Sequence, residues 1–369
     1  MIALIKMGKS NIIKYLSSCS TSYKTGCIKP KTVGYLNSKI IAIDLYQIIY
    51  KFLHNERRHY LVSLVNFIKY LHCNNIKPIF VIDGKPPREK SDVLKKRRNK
   101  KMQSLKIVDD NKKSIEKIEK IINTTSINDT IKMEELSKEK EVMLKNIKKY
   151  QKRTVKVSKN IINNIKNVFD LYEMPYIHIP DKEADYICAQ LVIHNVANVC
   201  LSDDNDLIAF QCPSIIQNFN MATDTFDMCH THYIGKCLNL TRDQLTDLII
   251  LNGTDYQSKR HPYEFKYIHN LILSDTSLDN ILKELHFGKN EYKSVLDIYT
   301  QTYDKNVLIN NIKHYKNINK SKRFIDNSKI KVFCNDIHTR CEISMKDSYH
   351  LKEALESVFS TINISSAYY

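Results

Sequence analysis

The chain has 369 residues, 43% of them hydrophobic, enough for a substantial core and too much for a disordered protein. A net charge of +17 points to a polyanionic partner, with nucleic acid ahead of an anionic membrane. No apolar run reaches the roughly 18 residues needed to span a bilayer, and Met1 to Lys6 is too short for a secretory signal, so the expectation is a soluble, intracellular protein with no membrane partner. Its ten cysteines are spread singly through apolar surroundings, which suits reduced, buried thiols better than a disulfide framework.

In chain order, short β-branched segments at Lys39–Asp44 and Lys77–Asp83 come first, then Met174–Pro180 and Val196–Asp203, separated by helical patterns. That alternation predicts an α/β fold with a central, mostly parallel sheet flanked by helices, and ligands then collect at the carboxyl ends of the strands. Residues 1–84 form the first part of this domain and 160–256 the second. Between them, 85–159 carries about 24 Lys or Arg against about 11 acids. Its narrow apolar stripe, broken near Asn123 to Asp129, predicts a basic helical insertion. After Leu240, Thr241 is placed to cap a helix over Arg242–Leu251. Residues 257–369 read as a further helical region, with an amphipathic segment at Asp347–Thr361.

Acidic residues mark the strand ends. Asp44 and Asp83 close the first two strands, and for either alone a helix cap is the plainer reading. Pro180-Asp181-Lys182-Glu183-Ala184-Asp185 leads into a helix, and Ser202-Asp203-Asp204-Asn205-Asp206 follows the fourth strand. Four or more carboxylates converging without a counter-charge would raise one another's pKa values. Hard divalent cations resolve that conflict. Two Mg²⁺ ions about 4 Å apart, with Mn²⁺ as a substitute, promote phosphodiester hydrolysis.

These segments resemble the flap endonuclease family of structure-specific 5′ nucleases over roughly Met7 to Tyr256. The resemblance runs through Ile41-Ala42-Ile43-Asp44, then Phe80-Val81-Ile82-Asp83-Gly84-Lys85-Pro86-Pro87, its most specific segment, and Lys96-Arg97-Arg98. It continues in Glu183-Ala184-Asp185, Asp204-Asn205-Asp206 and Leu251-Asn252-Gly253-Thr254-Asp255-Tyr256. It implies that Asp44, Asp83, Glu183, Asp185, Asp204, Asp206 and Asp255 hold the metals, Asp185 standing where the family has Glu. It also implies that Lys90 and Arg97, seven residues and two helical turns apart, stabilise charge on the scissile phosphate. By the same resemblance Tyr50 stacks on an unpaired base, and the basic insertion is an arch for a free 5′ strand, with Lys95, Lys96, Arg98, Lys100 and Lys101 as phosphate contacts.

The implied activity is Mg²⁺-dependent cutting of 5′ flaps or branched DNA in replication, repair or recombination. The alternatives are a junction-resolving or 5′–3′ exonucleolytic relative, a non-catalytic nucleic-acid-binding relative, and RNA as substrate. Gln257-Ser258-Lys259-Arg260-His261-Pro262 lacks the glycine-rich hairpin that family members carry, and no clamp-binding motif is seen. This divergence, with an Ile-, Asn- and Lys-rich composition, resembles the flap-endonuclease-like proteins of poxviruses and other large DNA viruses, which implies a nuclear or, for a viral source, cytoplasmic site of action. Two zinc-like groups, Cys229-His230-Thr231-His232 with Cys237 and Cys334 with His338 and Cys341, lack the spacing of structural sites and are read as packing.

Overall fold

The computed structural model describes residues 27–319 apart from 56–58, 125–129, 258–262 and 275–276, together with Ile12, Tyr15, Leu16 and residues 350–355. Eight strands form one sheet: β1 (Ile28–Thr32), β2 (Ile40–Asp44), β3 (Lys77–Ile82), β4 (Tyr176–His178), β5 (Val199–Leu201), β6 (Ser214–Asn220), β7 (Thr225–His230) and β8 (Ile312–Lys313). The helices are α1 (Leu45–Asn55), α2 (Tyr60–Cys73), α3 (Ser91–Thr124), α4 (Thr130–Thr154), α5 (Lys159–Leu171), α6 (Ala184–Ile193) and α7 (Asp206–Ala209). They continue as α8 (Thr231–Leu238), α9 (Arg242–Asn252), α10 (Phe265–Leu273), α11 (Leu278–Glu284), α12 (Lys289–Thr300) and α13 (Lys305–Asn311).

The strand order is β1-β7-β6-β5-β2-β3-β4-β8. Its centre, β6-β5-β2-β3-β4, is parallel, and the strands that pair with its two sides, β7 and β8, run antiparallel. The sequence reading found four of these strands. It overran β4 and β5, and it missed β1, the β6–β7 hairpin and the two-residue β8. β2 and β3 are apolar at nearly every position because helices cover both faces; Ile41, Ala42, Ile43, Ile79 and Phe80 are fully buried. The chain steps from β2 outward to β3 and β4, then returns to the other side of β2 as β5. β2 and β5 therefore flank the switch point where such sheets bind ligands.

The chain divides into two compact units, Ser91–Ser158 and the remainder. The first is a hairpin of α3 and α4. α3 has 34 residues, a length of about 50 Å, yet its seam is thin: Val108, Ile115 and Ile147 are buried, with Met143 and Tyr150 packed against them. Surface ion pairs such as Lys140–Glu119 at 2.8 Å lie along it. Among the described residues no helix is long and apolar enough to cross a membrane.

In the larger unit Thr241 caps α9 through a capping box with Gln244. At the far end of α9, Gly253 takes φ 99°, a conformation that favours glycine, and the Gln257 side chain ties the turn by accepting from the Thr254 N–H at 2.9 Å and donating to the Ile250 carbonyl at 2.7 Å. The rest of the divergent segment, 258–262, lies outside the described residues. Of the amphipathic tail, 350–355 is described and helical, with Leu351 and Leu355 buried.

Gly84 follows the strand β3 where two main-chain segments meet. Its N–H donates to the Lys182 carbonyl at 2.8 Å and that of Lys85 to Pro180 at 2.7 Å. A Cβ at Gly84 would lie 2.2 Å from the Ile179 oxygen and 2.6 Å from that of Lys182. Gly84→Ala should therefore cost about 3 kcal/mol, the upper end for overpacking, measured by urea denaturation; a change under about 0.5 kcal/mol would contradict this close approach.

Candidate metal and nuclease site

The acids converge because the sheet's topology puts their segments side by side. Asp44 is the last residue of β2 and caps α1: its carboxylate accepts from the N–H groups of Tyr46 at 3.1 Å and Gln47 at 3.4 Å. Asp83, just past β3, accepts from the Ala184 N–H at 2.6 Å, the first residue of α6. Asp204 accepts from the Asp206 N–H at 2.9 Å, where α7 begins. The capping role weighed from sequence for Asp44 and Asp83 is thus present, Asp204 has a similar contact, and each carboxylate is fixed at the switch point without being neutralised.

Between these acids stands Ser202, a buried residue that sequence reading passed over. Its hydroxyl lies 3.4 Å from both the Asp44 and the Asp185 carboxylates and accepts from the Asp204 N–H at 3.2 Å. One hydroxyl proton cannot serve two carboxylates at once. Asp203, beside it, belongs to the scaffold: it pairs with Lys51 at 3.1 Å and accepts from the Asn218 N–H at 2.7 Å.

Lys90 is the cation of this cluster. It closes a 3-10 turn, Arg88–Lys90, one residue before α3, so its spacing from Arg97 is not that of one continuous α-helix, as the sequence had implied. Its ammonium contacts Glu183 at 2.5 Å and lies 5.2 Å from the centre of the Tyr256 ring. The Tyr256 hydroxyl donates to the other Glu183 oxygen at 2.8 Å. Burial opposes the Lys90 charge, but Glu183, with Asp185 and Asp206 behind it, holds its pKa well above the ordinary range.

For four of the carboxyls the shift is also upward, which for them favours the neutral form. Burial, then the Asp83 charge, pushes Asp44 up to about 7, against the pull of its backbone hydrogen bonds. Burial also raises Asp83, Asp185 and Asp206; Asp204 is a further repelling charge on all three, joined by Asp255 at Asp206 and by Asp44 at Asp185. Six of the seven are partly buried, and Asp44 is buried. Among the described residues no three Asp, Glu, His or Cys side chains are gathered closely enough to hold an ion by themselves. An all-oxygen set with this spacing fits a hard cation that keeps part of its water, and does not fit a dehydrated zinc cage.

Tyr50 is half-buried on α1 with its ring stacked on His54. Tyr46, one turn before it, feels the acids: burial and the Asp83 charge push its phenol up to about 12. The remaining basic candidates all lie on α3, in the other unit. Lys95, Lys96, Arg98 and Lys100 are exposed, Arg97 is half-buried, and Lys101 donates to the Val155 carbonyl at 3.3 Å. Of the zinc-like groups, Cys229 is buried in β7 and His230 meets Ser214 at 3.0 Å; Cys334, His338 and Cys341 lie outside the described residues.

The chain matches the XPG N-terminal domain over residues 12–104 and the XPG I-region over 173–255. It is 30% identical over 225 residues to flap endonuclease 1 of Lodderomyces elongisporus, covering 60% of this chain and 51% of that protein, so the match spans about half of the relative's length. Flap endonuclease 1 of Enterocytozoon bieneusi is 26% identical over 304 residues, 78% of this chain and 77% of its own. Among solved structures, flap endonuclease-1 from Methanococcus jannaschii superposes with a TM-score of 0.56 at 17% identity, covering 92% of this chain and 97% of that one. Human GEN1 in complex with Holliday junction DNA superposes with a TM-score of 0.55 at 16% identity, covering 95% and 78%. At such identities the two structures speak for the fold. Both XPG segments occur in order and together take in all seven of the acids, Asp255 being the last residue matched, and over these segments the chain is similar to flap endonucleases.

Proposed function

We propose that the protein is a Mg²⁺-dependent, structure-specific 5′ nuclease that cuts 5′ flaps or branched DNA during replication, repair or recombination. The observation that carries this reading is the gathering of mutually repelling carboxylates around one fixed ammonium at the carboxyl ends of parallel strands. Asp44, Asp83, Glu183, Asp185, Asp204, Asp206 and Asp255 would hold the metals. When bound, paired Mg²⁺ supplies Lewis acidity to both sides of a phosphodiester. Lys90, held by Glu183 and the Tyr256 ring, offers a fixed positive charge to the phosphate as negative charge builds on its oxygens. Arg97 and the exposed lysines of α3 attract a single strand through its phosphates.

A test offers end-labelled 5′-flap, blunt-duplex, four-way-junction and single-stranded RNA substrates with Mg²⁺. Cleavage of the flap, lost in Asp83→Ala and Asp204→Ala while DNA binding persists, is the expected result. No cleavage of any substrate, with both variants binding DNA as wild type does, would overturn the catalytic reading, and preference for the junction would overturn the flap assignment alone. Lys90→Ala should slow the cleavage step about 10²–10³-fold and weaken binding far less; equal effects would make Lys90 an ordinary phosphate contact.

Without metal the same acids should make stability depend on pH. Asp44 has an ordinary value of 3.8 and reaches about 7 in the fold, so across that window the folded state keeps a proton that the unfolded chain has released. Stability contributed by the protonated carboxyl is then lost as pH rises from about 4 to about 7. In EDTA, wild type should lose more melting temperature between pH 5 and pH 8 than Asp44→Asn does, and Mg²⁺ should restore more of it at pH 8 than at pH 5. Parallel melting profiles for the two proteins would refute the assignment.

A further inference from the structure

Tyr299 lies on α12, well past the last acidic motif. Its side chain is 4% exposed, with its ring against Phe210 at 4.7 Å and Tyr256 at 5.4 Å between centroids. Those contacts fill its apolar faces and leave the hydroxyl beside Asp206 and Thr254. The hydroxyl is buried and makes no hydrogen bond of ordinary geometry, although it is near enough to Asp206 to oppose the rise in that carboxyl's pKa. Phenylalanine would fill the same apolar space with no polar atom to satisfy. The phenol oxygen therefore faces the acid cluster with Asp206 close by, in a contact looser than an ordinary hydrogen bond.

Asp206 needs such a donor. Asp204 and Asp255 both repel its charge, and Lys90, the cation acting on it, is engaged by Glu183. A neutral hydroxyl can orient a carboxylate without cancelling the charge that attracts a cation, as the outer partners of metal ligands do. We infer that Tyr299 is a positioning residue for Asp206: when a divalent cation binds, its hydroxyl closes onto the Asp206 carboxylate and fixes its orientation, so that a helix outside the acidic motifs sets the affinity for the cation. This rests on the metal-dependent reading above.

The test titrates Mg²⁺ against the full-length protein without DNA, following the melting temperature, in wild type, Tyr299→Phe, Asp206→Asn and the double variant, and adds kcat and KM on a flap substrate. Tyr299→Phe should melt no lower than wild type in EDTA, require on the order of tenfold more Mg²⁺ for half of the stabilising shift, and lower kcat at limiting Mg²⁺ with KM for DNA unchanged. In the Asp206→Asn background it should add nothing, because the two act as one unit. An unchanged Mg²⁺ requirement in Tyr299→Phe, or an additive effect in the double variant, overturns the inference. Wild-type protein that shows the Mg²⁺ shift and the Tyr299 effect yet cuts no DNA defeats the nuclease reading instead and leaves this one standing.

Discussion

The mutual repulsion of carboxylates held at the strand ends is the constraint to which the rest of the larger unit answers. Four of the acids are fixed by contacts that do not remove their charge: backbone N–H groups at helix starts for Asp44, Asp83 and Asp204, and a shared serine hydroxyl between Asp44 and Asp185. Lys90 offsets part of the repulsion, and burial makes the remainder strong. Folding without a cation therefore carries a charge conflict that the apolar centre of the sheet has to outweigh. Functional sites commonly store free energy in this way.

The sheet makes that storage possible. Parallel strands buried on both faces bring their carboxyl ends into one row, and the reversal of strand order between β2 and β5 opens a gap in the helical cover at that row. Backbone contacts made by Gly84 and Lys85 then bind the segment after β3 to the segment before α6, which sets Asp83 against Glu183. Asp255 arrives from another direction, through a glycine that ends α9 and a glutamine that clamps the turn.

The parts legible in the sequence were those with a local signature. Apolar strands ending in Asp, the Thr241 cap and the break in the insertion's helical stripe each depend on a few adjacent residues. The parts that were not legible depend on pairing or distance. β1 is mixed apolar and polar, β8 has two residues, and neither signals a strand until its partner is known. Ser202 is an ordinary hydroxyl beside more conspicuous acids, and only the fold shows that it stands between two of them. Tyr299 is separated from Asp206 by two β-strands and four helices, and no spacing rule connects them. Lys90 was identified from the resemblance, but its 3-10 turn and its pairing with Glu183 needed coordinates.

The helical hairpin follows different physics. Its α3–α4 seam rests on a few apolar side chains along helices that are otherwise charged and exposed, so little burial is lost when a turn is added to or removed from both helices. Opening one end of such a seam exposes little apolar surface, as is usual for a segment that can open locally. The hairpin's length can therefore drift over evolutionary time almost independently of the acids, leaving the reach of the insertion free to vary while the carboxylate cluster stays fixed.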